Sequence, residues 1–549
     1  MEEMKMKKSY LFFGLFILFF WSCDDFLNRI PDQRMEISKA SEISEMLVYA
    51  YSSCSYAILG ELMSDNMIDN TSPDEKGKYY NLGSFDRMHD EMFAWEHVVS
   101  GSFYDTVDRL WEACYYAIAV CNHALEAIEK LEKADSTIDL RAQRGEALIS
   151  RAYHHFILVN IFSQAYKDES QTDFGIPYVT KPETRVEVQY NRHTVPYVYK
   201  MIDEDIKAGI DLINDAKYLI PKYHFNKKAA HAFAARFYLF YRKWDQVIEH
   251  ADFVLGGDNP IFRDWGQTTP TAESMGYWWI NDKSPNNLLM FTCYSLLFRI
   301  WGDRYGCSRD AYEGTLGMAG PSKALRRCLT GKVYYRGEQD FGSFLLAASY
   351  EFFEYSDKVA GIGFPHTVRV EFTNEETLLC RAEAKIYSDK YSLDDVMTDF
   401  LLFENSRNNT TIPITLKKSD LDEFFITKYA DPDNPGSSNI NTKGERYKEL
   451  NTEKMSPSWI VTDEMLNYVY CVLLYRRVEN IHNGMRFFDI KRYGIELTHN
   501  IGKDRVENLT WNDPRKAVQI PNDVIAAGLD PNPRPDPMTT NFKTEILAK

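Results

Sequence analysis

The chain is expected to be mainly α-helical, a stack of helical hairpins interrupted by an irregular, loop-rich segment. Three observations predict this. Apolar residues recur at i, i+3, i+4 and i+7 through most of the first 256 residues, the mark of helices with one buried face. Residues 226–255 read as two closely approaching helices joined by a tight turn, and 374–402 read as a second pair of that kind. Between the pairs, residues 257–372 lose the helical period and gather Gly, Trp and Tyr.

Taken in order, the N-terminus has its own logic. Lys5, Lys7 and Lys8 precede an apolar run from Leu11 to Trp21, followed by Ser22, Cys23 and the charges Asp24-Asp25. A basic start, a short apolar core and a small residue at the break make an export signal over residues 1–22, too short for a spanning helix. The cysteine at the break resembles the acylation site of bacterial lipoproteins. Ser22 fits that site, whereas Phe20 and Trp21 stand where Leu and a small residue are usual. Cys23 is thus the expected lipid anchor. The alternative is ordinary secretion with a free N-terminal cysteine.

Helices are expected over 37–59, 104–133, 138–164, 195–212, 226–241, 243–255, 374–402 as a pair, and 462–481. The long stretch 60–104 is polar and aromatic, and ordered loops of that length usually carry function. Residues 404–460 are polar, with Asp431-Pro432-Asp433-Asn434-Pro435-Gly436, and read as loop; the tail from Pro514 is proline-rich. In the pair at 226–255, Ala229-Ala230-His231-Ala232-Phe233-Ala234-Ala235 lets two backbones approach, and Trp244-Asp245 starts the partner helix. This looks like a tetratricopeptide-type hairpin, a unit that must stack to bury its apolar face.

Composition narrows the function. The 549 residues carry a formal net charge of −17, which argues against nucleic acid and against an anionic lipid surface. Aromatic residues make up 14% of the chain. That suits a thick helical core and also a surface that stacks on the flat apolar faces of sugar rings. The nine cysteines contain no C-x-x-C, and no histidines cluster with them, so no zinc site is expected. Cys114 and Cys121 read as buried thiols. No cofactor is expected.

Five stretches, in order along nearly the whole chain, resemble the SusD/RagB family. They are Cys23-Asp24-Asp25-Phe26-Leu27 with Pro31; Arg151-Ala152-Tyr153 with Gly175-Ile176-Pro177-Tyr178-Val179-Thr180-Lys181-Pro182; the hairpin at 226–250; Gly484-Met485-Arg486-Phe487-Phe488-Asp489-Ile490-Lys491-Arg492-Tyr493-Gly494; and Gln519-Ile520-Pro521 with Asn532-Pro533. Where the family often has Glu-Leu-Ala-Phe-Glu-Gly, this chain has Glu479-Asn480-Ile481-His482-Asn483-Gly484. The resemblance implies a tetratricopeptide-like α-helical superhelix with an irregular, loop-rich ligand-binding subdomain. It implies a surface lipoprotein of a Bacteroidota-type outer membrane that captures glycan for carbohydrate transport, as part of polysaccharide utilization. The implied partner is a SusC-like TonB-dependent transporter. A peptide or glycopeptide ligand, as for RagB-like proteins, or a mainly structural lid over the transporter, is the alternative. The chain then divides into signal peptide 1–22, a SusD-like region with helix pairs at 23–256, an irregular ligand-binding insertion at 257–372, and a C-terminal region at 373–549.

No catalysis is expected. There is no H-E-x-x-H and no G-x-S-x-G, and Gly361-Ile362-Gly363 lacks a third glycine. The carboxylate pairs Asp24-Asp25, Glu375-Glu376 and Asp394-Asp395 are sequence neighbours, which do not face each other across a substrate. His154-His155 reads as scaffold. Arg486 and Asp489, three apart on a helix, read as a local ion pair.

A glycan site needs aromatic faces beside amide, carboxylate or guanidinium groups. Two irregular segments supply both. The first offers Asp65, Asn66, Tyr79, Tyr80 and Trp95; the second offers Trp278, Trp279, Asn281, Trp301, Arg304 and Tyr305. Core packing is the competing reading for each ring. Trp278-Trp279, read as extended chain, should point opposite ways. Trp111 and Trp244 lie on helix faces and read as core.

Overall fold

The computed structural model describes residue 37 and residues 39–534, apart from 74–76, 78, 100, 102–103, 184–189, 257–259, 265–271, 301–303, 307–319, 323–333, 337–342, 346–349, 408–412, 427–446 and 456–457. The export segment, Cys23 and Trp301 therefore lie outside the described residues.

The first expected helix is two helices. α1 (Ala40–Leu47) and α2 (Ala57–Leu62) are separated by a chain that leaves the helical path. Its backbone finds other partners: Ser52 N–H donates to His154 Nε2 at 3.0 Å, and Cys54 bridges Tyr294. Local periodicity yields here to long-range hydrogen bonding. The described residues of the stretch 60–104 hold β1 (Ile68–Asp69) and α3 (Arg87–Phe93), which is capped by the Asp86 side chain.

The expected hairpins follow. α4 (Val107–Ala134) and α5 (Arg141–Phe162) pack along each other, and α5 packs on α6 (Val195–Gly209). Thr106 and Thr194 cap α4 and α6 through side-chain oxygens. α5 and α6 meet where Gly145 and Gly209 face each other. A Cβ on Gly145 would lie 2.9 Å from the Gly209 carbonyl oxygen. α7 (Lys227–Phe240) and α8 (Trp244–Leu255) form the Ala-rich pair, closed by a turn in which Arg242 takes φ 60°.

The segment 257–372 contains α9 (Ala272–Trp279), β2 (Asn287–Tyr294), α10 (Leu297–Ile300), β3 (Tyr305–Gly306), β4 (Tyr334–Arg336), β5 (Ser343–Leu345), β6 (Phe352–Asp357) and most of β7 (Ile362–Thr373). β2, β7 and β6 form an antiparallel sheet in that order. Two-stranded pairs join β1 to β3 and β4 to β5. Periodicity of 3.6 does not register strands, which explains the irregular appearance of this segment in sequence.

The second hairpin is α11 (Asn374–Tyr387) with α12 (Leu393–Ser406), begun by a Ser392–Asp395 capping box. α13 (Lys418–Ile426) lies in the stretch expected to be loop. α14 (Asp463–Glu479), α15 (Met485–Arg492), β8 (Leu497–Ile501), β9 (Arg505–Leu509) and α16 (Asn522–Ala526) complete the described chain. The protein is mainly α-helical, with tetratricopeptide-type pairs around one large core cluster and two smaller ones.

Buried guanidinium–carboxylate pairs lock these contacts. Arg151 grips Asp205 across α5 and α6 at 2.6 and 2.8 Å. Arg236 of α7 holds Glu376 of α11 at 2.8 Å through two nitrogens and also reaches Glu371 of β7. Arg381 joins α11 to α12 through Asp399, and Arg476 joins α14 to α15 through Asp489 at 3.0 Å. Such pairs add little net stability over apolar packing, yet breaking one leaves an uncompensated charge.

Candidate functional site

The structure brings the two predicted segments together. β1 pairs with β3, placing Ile68 opposite Gly306 and Asp69 opposite Tyr305. Arg304 seals the joint, donating to Asp69 at 3.0 Å and lying 3.0 Å from Asp90. The Tyr305 hydroxyl donates to Asp90 at 2.6 Å, and its ring is buried against Phe93. Arg304 and Tyr305 thus tie segment to segment.

The other candidates divide into interior and surface. Trp95 is 1% exposed, donates its indole N–H to the Met63 carbonyl at 3.0 Å, and stacks on His499 at 4.1 Å. Asn66 is buried, donates to Glu61 at 2.9 Å, and accepts from Arg477 at 2.7 Å. Asp65 is gripped by Arg486 at 2.8 and 2.9 Å. Burial alone would raise its pKa. The charges of Arg477 and Arg486 outweigh that and hold the carboxyl well below the usual range. These three are corrections: their polar groups are committed to the interior. The signal was present in Arg477 and Arg486, whose buried charges require partners.

Trp278 and Trp279 lie on helix α9, not on extended chain, so they sit about 100° apart around an axis rather than on opposite faces. Trp279 is buried, with the Arg263 guanidinium 3.9 Å from its centroid. Trp278 is half-buried, 5.1 Å from the same guanidinium. Asn281 is exposed and caps a turn by accepting from Lys283 N–H at 3.0 Å. Tyr79 is exposed beneath Lys503, whose ammonium lies 3.9 Å from its centroid and donates to its hydroxyl at 2.6 Å. Tyr80 is half-buried, its backbone N–H donating to Asn70. Arg486 and Asp489 do not pair with each other: Asp489 takes Arg476 and Arg492.

The sheet presents rings that the sequence reading passed over. Tyr294, at the end of β2, is 38% exposed, and Phe364 of β7 is 40% exposed. Their centroids are 5.9 Å apart, and half-buried Tyr104 completes a triangle at 5.7 and 6.4 Å. The register places His366 opposite Tyr294, Glu354 opposite Phe364, and Val368 opposite Thr292. Opposed residues share a face, so Thr292, Glu354 and His366 flank the rings. Among the described residues, His366 Nδ1 has no hydrogen-bond partner. The sheet folds this way because Met290, Val368 and Val370 bury against Met275 and Trp279 of α9, leaving the strand ends open. The alternation around the Val359-Ala360-Gly361 turn is a hairpin signal that could have found Phe364.

The arrangement can bind a flat, hydroxyl-rich molecule: apolar ring faces beside a carboxylate, a hydroxyl and an imidazole. Among the described residues, no group of three or more His, Cys, Asp or Glu is placed to hold a metal ion, and no helix is long and apolar enough to cross a membrane.

The family model SusD-like_3, described as "Starch-binding associating with outer membrane", matches residues 25–239. No curated protein matches the chain. Among solved structures, a SusD superfamily protein from Bacteroides vulgatus ATCC 8482 is 16% identical with a TM-score of 0.57, over 91% of this chain and 100% of that one. Surface glycan-binding protein A from Bacteroides fluxus is 14% identical with a TM-score of 0.55, over 90% and 100%. A SusD-like carbohydrate binding protein from Bacteroides vulgatus ATCC 8482 is 14% identical with a TM-score of 0.53, over 89% and 97%. At these identities the likeness concerns the fold.

Proposed function

We propose that this chain, whose residues 25–239 match the SusD-like_3 family model, is a SusD-like, non-catalytic glycan-binding lipoprotein of the cell surface. It captures oligosaccharide or polysaccharide and delivers it to a SusC-like TonB-dependent transporter in the outer membrane. Acylated Cys23 holds it there. The observation that carries this reading is the Tyr104–Tyr294–Phe364 triangle, formed where the 60–104 and 257–372 segments meet. Sugar C–H faces stack on the rings while Glu354, Thr292 and His366 take hydroxyls. Exposed Tyr79 and half-buried Trp278 are further candidates for sugar stacking.

The test is a binding screen of the chain lacking residues 1–23 against plant, host and microbial glycans, with peptides alongside. A saccharide hit confirmed by calorimetry is the expected result. Binding to peptides alone would move the protein to the RagB-like alternative, and silence on both would leave the lid role. A Cys23→Ala variant should escape lipid labelling; continued labelling would place the anchor elsewhere.

A further inference from the structure

A cavity elsewhere in the fold is lined by none of the residues of the aromatic triangle. It is a cavity of about 230 Å³ between the end of α5, the α7–α8 turn, α15 and the chain segments around Trp459 and Trp511. Its wall contains Lys167, Arg242, Lys454, Lys491 and Arg492, against one carboxylate, Glu169.

Several of these cations are held with donors to spare. Arg492 has a side chain 5% exposed. Its Nη2 donates to Glu383 and Asp489, while Nε and Nη1 have no hydrogen-bond partner among the described residues. Arg242 has a side chain 8% exposed; its Nη2 donates to the Tyr166 carbonyl at 3.1 Å. Its Nη1 makes no hydrogen bond among the described residues and lies 3.6 Å from Asp168. Lys491 is buried and, among the described residues, donates to the main-chain carbonyls of Asn160 and Ser163. Lys454 is tethered to Glu496 at 3.5 Å, and Lys167 to Asn512 at 2.8 Å.

The cations press on one another. Burial lowers the proton affinity of Arg242, and the like charge of Arg492 adds to it against Asp168 and Glu169. Burial, reinforced by Lys516, pushes the Lys491 ammonium down to about 7. Unsatisfied guanidinium N–H groups in a closed space are costly, and a carboxylate, sulfate or phosphate matches their geometry. Trp459 and Trp511 also line the cavity, and the Arg242 guanidinium lies 4.7 Å from the Trp459 centroid. The volume takes one ring-sized molecule rather than a chain of them.

We propose that this cavity is an oxyanion-binding site for a single acidic sugar residue, its carboxylate held by Arg242 and Arg492. The site stands apart from the glycan reading of the sheet surface and does not depend on it. The experiment is calorimetry and tryptophan fluorescence on the full chain with galacturonate, glucuronate, galactose, glucose, and inorganic sulfate or phosphate. The uronates should bind at least tenfold more tightly than the neutral sugars. Arg242→Gln and, separately, Lys167→Gln should each weaken uronate binding several-fold with an unchanged circular dichroism spectrum. Sulfate or phosphate binding without the uronates would keep the oxyanion site and make a free anion its ligand. Equal affinity for uronate and neutral sugar, no binding of any anion, or anion binding indifferent to both variants would overturn the proposal.

Discussion

Arg486 reaches 421 positions back along the chain to grip Asp65, Nε to Oδ1 at 2.8 Å and Nη2 to Oδ2 at 2.9 Å. The pair fastens α15 to the chain leaving α2, so a late helix is docked beside an early one. Arg477 of α14 supports it by donating to the Asp65 carbonyl at 2.7 Å.

Asp65→Asn should therefore cost about 3–5 kcal/mol, because two guanidiniums lose their buried counter-charge. Denaturant unfolding followed by circular dichroism measures it. A loss below about 1 kcal/mol would mean that the pair is solvated. The carboxyl has a folded-state pKa far below its unfolded value near 4. Its stabilisation is thus full above that value and lost as pH falls below it.

Glu61 behaves in the opposite sense. Burial pushes its carboxyl up to about 7, although Asn66 and Gly484 donate hydrogen bonds that favour the charged form. The folded state holds a proton that the unfolded chain releases near pH 4.3. Its contribution is full below that pH and lost as pH rises towards 7. Glu61→Gln should flatten the pH dependence of unfolding between about pH 4.5 and 7. A slope equal to that of the parent would sink the assignment.

Gly60 and Gly484 let α2 and the start of α15 touch. A Cβ on Gly60 would lie 2.6 Å from the Gly484 Cα, and Gly484 itself takes φ 79°. Gly60→Ala should destabilise by about 1–3 kcal/mol or more through overpacking. A melting transition unchanged from the parent would show that the helices can separate freely.

The aromatic surface separates binding from stability. Tyr294→Ala and Phe364→Ala should each lower glycan affinity on the order of tenfold, with thermal unfolding little changed. Trp279→Ala should instead destabilise by about 3–5 kcal/mol, since that ring fills the space between α9 and the sheet. Full affinity in both ring variants would move the site to the Tyr79 side.

Helix–helix pairing was legible in the amino-acid order because it is local. The Ala-rich face of α7 and the apolar stripe of α4 are read within one or two turns, and α4 to α8, α11, α12 and α14 lie within a few residues of their expected spans. The same local rules read through the break between α1 and α2 and past the sheet. There the deciding bonds join Ser52 to His154 and strands some 70 residues apart.

The site shows the same division. Composition and the two irregular segments pointed to aromatic binding surfaces, but not to which rings would remain outside. That depended on distant partners: His499 claimed Trp95, Arg486 claimed Asp65, and Arg263 with the sheet claimed Trp279. A side chain's exposure is set by whatever packs on it from elsewhere in the chain. Local sequence therefore settles helices and their hairpins, whereas the choice between core ring and binding ring waits for long-range packing.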